Sequence, residues 1–557
     1  MLSDLRYIET ETLRRDHIAP VEILLATEGV ENAEYLLTPA DSQIRMGAPY
    51  YTTLSTEGGK KAALLLDFGS EIVGGVRLFS LESSQRAGTR IRLSFGESAA
   101  EAMTPLGEKG TSCDHAIRDM EVTLPWNGMN AFGYTGFRFV YIEVLDKECW
   151  LRLSGLQGVC LYRDIPYLGT FHSSDPILDR IYEVCAYTVH LNMQHLIWDG
   201  IKRDRAVWIG DMHPEMLTIR TVFGQQKILD DSLRFVAKNY PLPQWPNGMA
   251  TYGLWYLFIL SDWYLHGGSD ELITELADYW KPLLSQWLDL IHDEGEALIE
   301  EEIKSGFFLD WPTRYHEEAR AGIYGLICLT LDACQRLCKS VKDITLSDRC
   351  KHKRAVLEKS SFKIGDKKQV TAMLWLSGLI RDKKAIAEAL SKQGGHGMST
   401  FQSYYILKAT AEAADTQTAL DMLREYYGGM LQVGATTFWE DFDLDWLQDG
   451  AHLKNLPIDG QYDIHGDNGR FCYVGFRHSL CHGWSGGPSA FLAENVLGIR
   501  ILEAGCRKLA IQPHLGDLEW ASGTYPTPYG IVSVSAKKVD GQIVVEVDAP
   551  KEIEIVQ

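Results

Sequence analysis

The hydrophobic pattern of this 557-residue chain changes period twice, and no single motif constrains its fold as much. From about residue 60 to 165, short runs rich in β-branched and aromatic residues are separated by Gly, Pro and Asn. AALLLDFGS, GGVRLFS, TRIRLSFGE and FRFVYIEVL are examples. Such side chains fit a pleated, half-buried surface, so these runs read as strands of a sandwich. In FRFVYIEVL, Phe137, Phe139 and Tyr141 fall on one face and Arg138, Val140 and Ile142 on the other. Neither face is purely polar, which predicts a strand covered on both sides.

From about residue 174 the spacing becomes helical. Ile177, Ile181, Val184, Tyr187 and Leu191 follow steps of three or four after a Ser-Ser-Asp-Pro start suited to a helix N-terminus. Leu272 to Leu290 does the same, with Pro282 predicting a kink or break. Further candidates lie near 213–223, 227–239, 250–266, 316–339, 345–360, 367–379, 383–393, 400–413, 415–428 and 481–497. About twelve helices, many apolar on more than one face, fit a closed double ring of six inner and six outer helices, and periodicity alone equally allows an open solenoid. After about residue 500 strands return in CRKLAIQP, GIVSVSAKK, GQIVVEVD and EIEIVQ. The expected organisation is an N-terminal β-sandwich region over 1–170, a helical toroid over 171–498 and a small C-terminal β domain over 499–557, without low-complexity linkers.

Composition narrows the functional classes. Lys and Arg number 54 against 75 Asp and Glu, a net charge of −21. That balance argues against non-specific binding to nucleic acid or an anionic membrane. No stretch approaches the roughly 20 apolar residues needed to span a bilayer. The first twenty residues lack the apolar core of a secretory signal, and the eleven scattered cysteines suit buried, reduced thiols. A cytoplasmic location is expected, or a periplasmic or secreted one had a leader been removed. Nothing in the sequence specifies an oligomeric state.

Three clusters carry chemistry. WDGIKRDRAVWIGDMHPE (198–215) gathers Asp199, Asp204, Asp211 and Glu215 with Arg203, Arg205, Trp208 and His213. Exposed ion pairs would account for mixed charges alone, but carboxylates beside arginines and tryptophans are what a sugar site requires. Acids bind hydroxyls, indole faces take the apolar sugar face, and neighbouring charges separate acid from base. GATTFWEDFDLDW (434–446) sets Glu440 beside Trp439 in a loop that lifts one carboxylate into a pocket; its alternating acids lack the Gly and terminal Glu of a calcium loop. HSLCHGWSGGP (478–488) brings His482 and Trp484 to the start of the last helix, with His478 and His482 forming at most half a metal site, so no metal is expected. Among the remaining aromatics, which include Trp255, core packing is the default; Asp310 beside Trp311 in FFLDWPTRY (307–315) is the exception that merits a test.

These residues resemble the α-L-rhamnosidases of glycoside hydrolase family 78, six-hairpin glycosidases whose catalytic domain is an (α/α)6 barrel. The family's acid loop, approximately D-x-x-x-R-E-R-x-x-W-x-G-D, is matched in spacing by Asp199, Arg203, Asp204, Arg205, Trp208, Gly210 and Asp211. Its general-base loop, GATT-x-W-E, is matched by Gly434 through Glu440, and its histidine near the last helix is similar to His482. DFGSEIVGGVR, TGFRFVYIEV and LEWASGTYPTPYG resemble its flanking β domains, so the likeness spans about 60 to 557. It implies inverting hydrolysis of terminal α-L-rhamnosides. Asp204 would be the general acid and Glu440 the base that activates water. Asp199 and Asp211 would hold hydroxyls, with Arg203, Asp310, Trp439 and His482 as further sugar contacts and Trp208, Trp255, Trp311 and Trp484 packing on the sugar. It implies a carbohydrate substrate and no cofactor.

One departure has consequences. The family usually has Glu where this chain has Asp204, and the shorter side chain withdraws the carboxyl by about 1 to 1.5 Å, a misplacement that can cost about a hundredfold in rate. Either the loop moves inward, or the substrate differs, or another residue is the acid. Two other function classes stand beside the rhamnosidase: another (α/α)6 exo-glycosidase or a glycan lyase, which would need a Tyr/His or Lys base, and a carbohydrate-binding protein whose acid loop has drifted.

Overall fold

The computed structural model describes residues 13–557 apart from 42, 268, 294–305, 315, 450–451, 459 and 472. The start of the N-terminal segment read above for a signal, the end of the 307–315 run and the cysteine at 472 therefore lie outside the described residues. The first part of the chain forms β1 (Leu13–Ile18), β2 (Glu22–Ala26), β3 (Val30–Glu31), β4 (Thr52–Ser55) and β5 (Ala63–Ser83). It continues with β6 (Thr89–Gly96), the short helix α1 (Ala99–Met103), β7 (Asp119–Leu124), β8 (Gly128–Val144) and β9 (Trp150–Arg163). These strands make one nine-stranded antiparallel sheet with a central order β3-β4-β9-β5-β8-β6-β7, while β1 adds to β9 and β2 to β5. The runs AALLLDFGS and GGVRLFS, expected as separate strands, are one strand, β5. Gly69, at φ +84°, lies where β5 shifts register against β8, between Asp67 and Ile72. As the two-faced pattern predicts, residues 135–142 of β8 are buried without interruption. An apolar core of its own, with Leu64, Leu66, Phe137 and Ile142 at its centre, holds this unit together.

The middle part is helical. Its helices are α2 (Pro176–Asn192), α3 (Met212–Val222), α4 (Lys227–Asn239), α5 (Ala250–His266), α6 (Asp270–Glu275) and α7 (Ala277–Asp289). They are followed by α8 (Ala319–Ser340), α9 (Ile344–Leu357), α10 (Lys368–Leu376), α11 (Lys383–Ser391), α12 (Ser403–Ala413), α13 (Thr416–Gln432) and α14 (Pro488–Phe491). The Ser-Ser-Asp-Pro start works as read: the Asp175 side chain accepts from the Ile177 amide and Pro176 opens α2. The break expected at Pro282 falls instead at Leu276, between α6 and α7, and Pro282 is accommodated inside α7. Helices apolar all round are those packed on every side: all eleven residues of α3 are buried. α3 packs on α5, α5 on α8, α8 on α10, α10 on α12, α12 on α14, and α14 on α3. None of the helices searched among the described residues is long and apolar enough to cross a membrane.

The C-terminal part has β11 (Ile499–Glu503), β12 (Lys508–Ile511), β13 (Trp520–Thr527), β14 (Gly530–Val539), β15 (Gln542–Asp548) and β16 (Glu554–Val556). One sheet, β11-β12-β16, is local. The other recruits β10 (Thr170–Ser173), a strand that immediately precedes α2 and pairs antiparallel with β13. The helices and this last part share one apolar core, which runs from Phe171 through Trp255 to Val534.

Candidate active site

The loop joining α2 to α3 carries the first acid cluster. Asp199 closes it: its Oδ1 accepts from the Ala206 amide at 2.9 Å and its own amide donates to the Ala206 carbonyl. The residues enclosed make a tight reversal, with Asp204 at φ +53° and Arg205 at φ +54°. Two successive non-glycine residues in the left-handed region cost of order 1 kcal/mol each, and the fastening around them is correspondingly dense. The Arg205 guanidinium donates to the carbonyls of Tyr134 and His115, both at 2.6 Å. Trp208 Nε1 donates to Asp204 Oδ2 at 3.1 Å. Arg203 donates to Asp204 Oδ1 at 3.4 Å, and His115 Nε2 stands 3.2 Å from that oxygen.

The second loop follows α13. Thr437 Oγ1 donates to the Leu480 carbonyl and the Phe438 amide to Thr188 Oγ1, so the GATT segment is tied to both α2 and the 478–488 stretch. Glu440 is held at three backbone and side-chain points. Its amide donates to Ser479 O, its carbonyl accepts from Thr400 Oγ1 and from Trp484 Nε1, and its carboxylate receives Arg203 Nη2 at 2.5 Å from each oxygen. One guanidinium thus contacts both Asp204 and Glu440, which bounds the gap between their nearest oxygens at about 8 Å on covalent geometry. Tyr473 lies 4.1 Å from the Arg203 guanidinium, face on, and limits its movement.

His482 occupies the middle of the carboxyl groups. Its Nε2 is 3.5 Å from Glu440 Oε1, 3.7 Å from Asp199 Oδ2 and 3.9 Å from Asp211 Oδ2, with its ring against Trp484. Burial, and next the Arg203 charge, hold the imidazole well below its usual range, so it is neutral. Burial and then mutual repulsion push Asp199 well above the carboxylate range; burial does the same to Asp211, against the hydrogen bond from Tyr252. Both therefore hold a proton to higher pH than an ordinary carboxyl, and when protonated they donate as well as accept hydrogen bonds. His478, the other half of the histidine pair weighed as a metal site in the sequence, accepts from the Asp441 amide and is a buried structural residue. Glu97, Glu101 and His465 converge below the loops. Lys202 Nζ, 3.3 Å and 2.8 Å from the two acids, and Arg118, 3.0 Å from Glu101, supply the positive charge there.

A cavity of about 440 Å³ opens above this arrangement. Of the residues singled out from sequence, Asp199, Arg203, Asp204, Trp208, Asp211, Trp311, His482 and Trp484 line it. Glu440, 3 % exposed, is reached through Arg203 and His482. Three expected sugar contacts stand elsewhere. Trp255 is fully buried among His213, Phe258, Phe401 and Tyr405, and Trp439 is fully buried against Phe442 and His478. Asp310 is buried too, bonded by Ser399 and by the Trp311 amide, so it sets the position of Trp311 from behind the wall. Aromatic and acidic character at loop spacing does not distinguish a residue on the wall from one supporting it. Sequence reasoning missed His115, Asn247, Tyr252, Arg314, Tyr473 and Arg477, which also line the cavity. Tyr252, in an aromatic-rich helix, Arg314, in the 307–315 run, and Arg477, just before His478, carried a signal.

The site lies in a part of the chain that matches a known class of domain: residues 166–322 match the bacterial α-L-rhamnosidase six-hairpin glycosidase domain, and 498–556 match the bacterial α-L-rhamnosidase C-terminal domain. Within that class the resemblance is to the α-L-rhamnosidases of glycoside hydrolase family 78. An α-L-rhamnosidase of Formosa agariphila is 23% identical over 551 residues, covering 88% of this chain and 54% of its own length. The chain thus spans about half the length of such curated relatives. Among solved structures, the family 78 rhamnosidase of Bacillus sp. GL1 shares the fold with a TM-score of 0.71 at 19% identity, over 94% of this chain and 55% of that one. The rhamnose-bound rhamnosidase of Klebsiella oxytoca does so with a TM-score of 0.66 at 18% identity, over 86% of this chain and 96% of that one.

Proposed function

We propose that this chain is an inverting glycoside hydrolase that releases terminal α-L-rhamnose, with its helices closed as an (α/α)6 barrel over 171–498, an N-terminal β-sandwich over 1–170 and a C-terminal β domain over 499–557. The observation that carries the reading is the single guanidinium of Arg203 contacting both Asp204 and Glu440 at the base of a cavity of about 440 Å³. Inverting pairs stand about 6.5–9.5 Å apart to admit water, and the bound of about 8 Å overlaps that window. Asp204, fixed by Trp208 and Arg203, donates its proton to the glycosidic oxygen. Glu440 takes a proton from the water that attacks the opposite face of the ring, and its fork on Arg203 fixes the direction of its lone pairs. Asp199, Asp211 and His482 are placed to hold sugar hydroxyls, and Trp208, Trp311 and Trp484 supply apolar faces. Asp204 reaches the cavity despite its shorter side chain, which supports retaining it as the acid.

The test is a panel of aryl glycosides, rhamnoside first, with the anomer of the first-formed sugar followed by NMR. The expected product is β-L-rhamnose. Asp204→Asn and Glu440→Gln should each lower kcat by about 10²–10⁴-fold on a poor leaving group, with the melting temperature little changed for Asp204→Asn and lowered for Glu440→Gln, which takes the carboxylate from the buried Arg203 guanidinium. An unsaturated product, or binding without turnover, would overturn the reading.

A further inference from the structure

The N-terminal β unit does more than flank the helices: it places one titratable side chain against the acid. His115 sits in the segment between α1 and β7, lines the cavity, and brings Nε2 to 3.2 Å from Asp204 Oδ1. The contact is built from both sides. Arg205, the residue after Asp204, donates to the His115 carbonyl at 2.6 Å, so the acid loop itself anchors the backbone that presents the imidazole. The same guanidinium reaches Tyr134 O, and the Gly136 amide donates to the Ile201 carbonyl at 2.9 Å, so β8 docks on the loop at two further points. His115 also has a way out: its side chain is 35% exposed, whereas Asp204 is 18% exposed and Glu440 1%.

We propose that His115 is the proton relay that recharges Asp204 between turnovers, a role that rests on the rhamnosidase reading above. Each inverting cycle leaves the acid without its proton and the base with an extra one. The base must return its proton to solvent and the acid must regain one. In the relay, protonated imidazole passes a proton from Nε2 to Asp204 Oδ1 and becomes neutral with its remaining proton on Nδ1; Nε2 then regains a proton from solvent, to which the base has returned its own, and no other bond changes. Imidazole suits the step because its unperturbed titration lies closest to neutrality. The charged groups facing His115 are Asp204 and Asp114, whose Oδ2 lies 3.7 Å from Nε2; Asp114 is itself paired with Arg477 at 2.9 Å. The charged and titratable groups facing Asp204 are His115, Arg203 and, electrostatically, the buried Asp199 and Asp211, whose carboxyls are both raised. Arg205 meets His115 only through the carbonyl.

The experiment compares the unaltered chain with His115→Asn on two rhamnosides, one with an alkyl leaving group that requires protonation and one with a dinitrophenyl group that does not. We expect kcat to fall about 10- to 100-fold on the alkyl rhamnoside, to change less than about threefold on the dinitrophenyl one, and to recover on the alkyl rhamnoside when free imidazole is added. Equal losses on both substrates, no loss, or no recovery with imidazole would overturn the relay, because a merely structural histidine would show one of those patterns. If His115→Asn does not fold, His115→Gln is read in the same way. Should the unaltered chain release no rhamnose, the functional reading fails; if it is active and the His115 variants behave like it, only the relay fails.

Discussion

At the scale of single residues, the supporting carboxyl groups are as informative as the reacting ones. Asp310 accepts from Ser399 and the Trp311 amide in a fully enclosed position, and burial pushes it up to about 7. A carboxyl raised in the folded state binds its proton when the unfolded chain has already lost it, so between pH 4 and 7 the folded state loses stability as pH rises. At about 1.4 kcal/mol per unit, the cost accumulated by pH 7 is at most about 4 kcal/mol. Asp310→Asn should therefore be close to neutral near pH 4 and increasingly stabilising toward pH 7, levelling off above it. Denaturant unfolding of the two proteins across that range checks the slope, and parallel curves would mean the group is already ionised in the fold. Trp311 stacks on Phe471 at the rim of the cavity, so the same variant tests how much the wall depends on the acid behind it.

At the scale of elements, close approach of backbone to side chain governs the last helix. Gly483, which starts the short helical turn Gly483–Gly486, lies directly on Glu215 of α3: a Cβ there would fall 1.6 Å from Oε1 and 2.5 Å from Cδ. Glu215 is fully buried, its oxygens have no hydrogen-bond partner, and burial followed by Asp211 pushes it well above its usual range. Gly483→Ala should cost about 1–3 kcal/mol and, by displacing His482, lower kcat; adding Glu215→Ala should remove most of the stability loss. Chemical denaturation of the single and double variants measures both. The elements themselves were largely legible, because the period of an apolar face is written in neighbouring residues. The failures were matters of chain context: Leu276 rather than Pro282 breaks the helix, and one glycine-containing strand was read as two. The site was legible where its loops are contiguous, in 199–211 and 434–440. It was not legible where the wall arrives from other parts of the chain, as His115, Asn247 and Tyr473 do, nor where an aromatic such as Trp255 or Trp439 supports the wall from inside.

At the scale of the whole molecule, a buried polar junction joins the N-terminal sheet to the two reactive loops. Lys202, beside Arg203, donates to the carbonyls of Phe476 and His478 and pairs with Glu97 and Glu101. Glu97 in turn accepts from Ser479 and the Leu480 amide, next to Glu440. Burial alone would raise Glu101, but Lys202 and then Arg118 hold it down to about 2. Its contribution is present above the ordinary glutamate value and lost as pH falls toward 2. Lys202→Met leaves the buried Glu97 without its cation and Glu101 with Arg118 alone, and should cost about 3–5 kcal/mol at neutral pH. The penalty should shrink as pH falls toward 2, because the variant's acids take up protons before Glu101 of the unaltered chain does. Equilibrium unfolding at two pH values measures it, and a penalty independent of pH would show that packing rather than charge is responsible.

The strand Thr170–Ser173 has a consequence for how the molecule is made. Thr170 Oγ1 bonds Thr524, 354 residues further on. A ribosome must release those 354 intervening residues before that seam can close, so α2 waits with its leading edge unstitched while they are made.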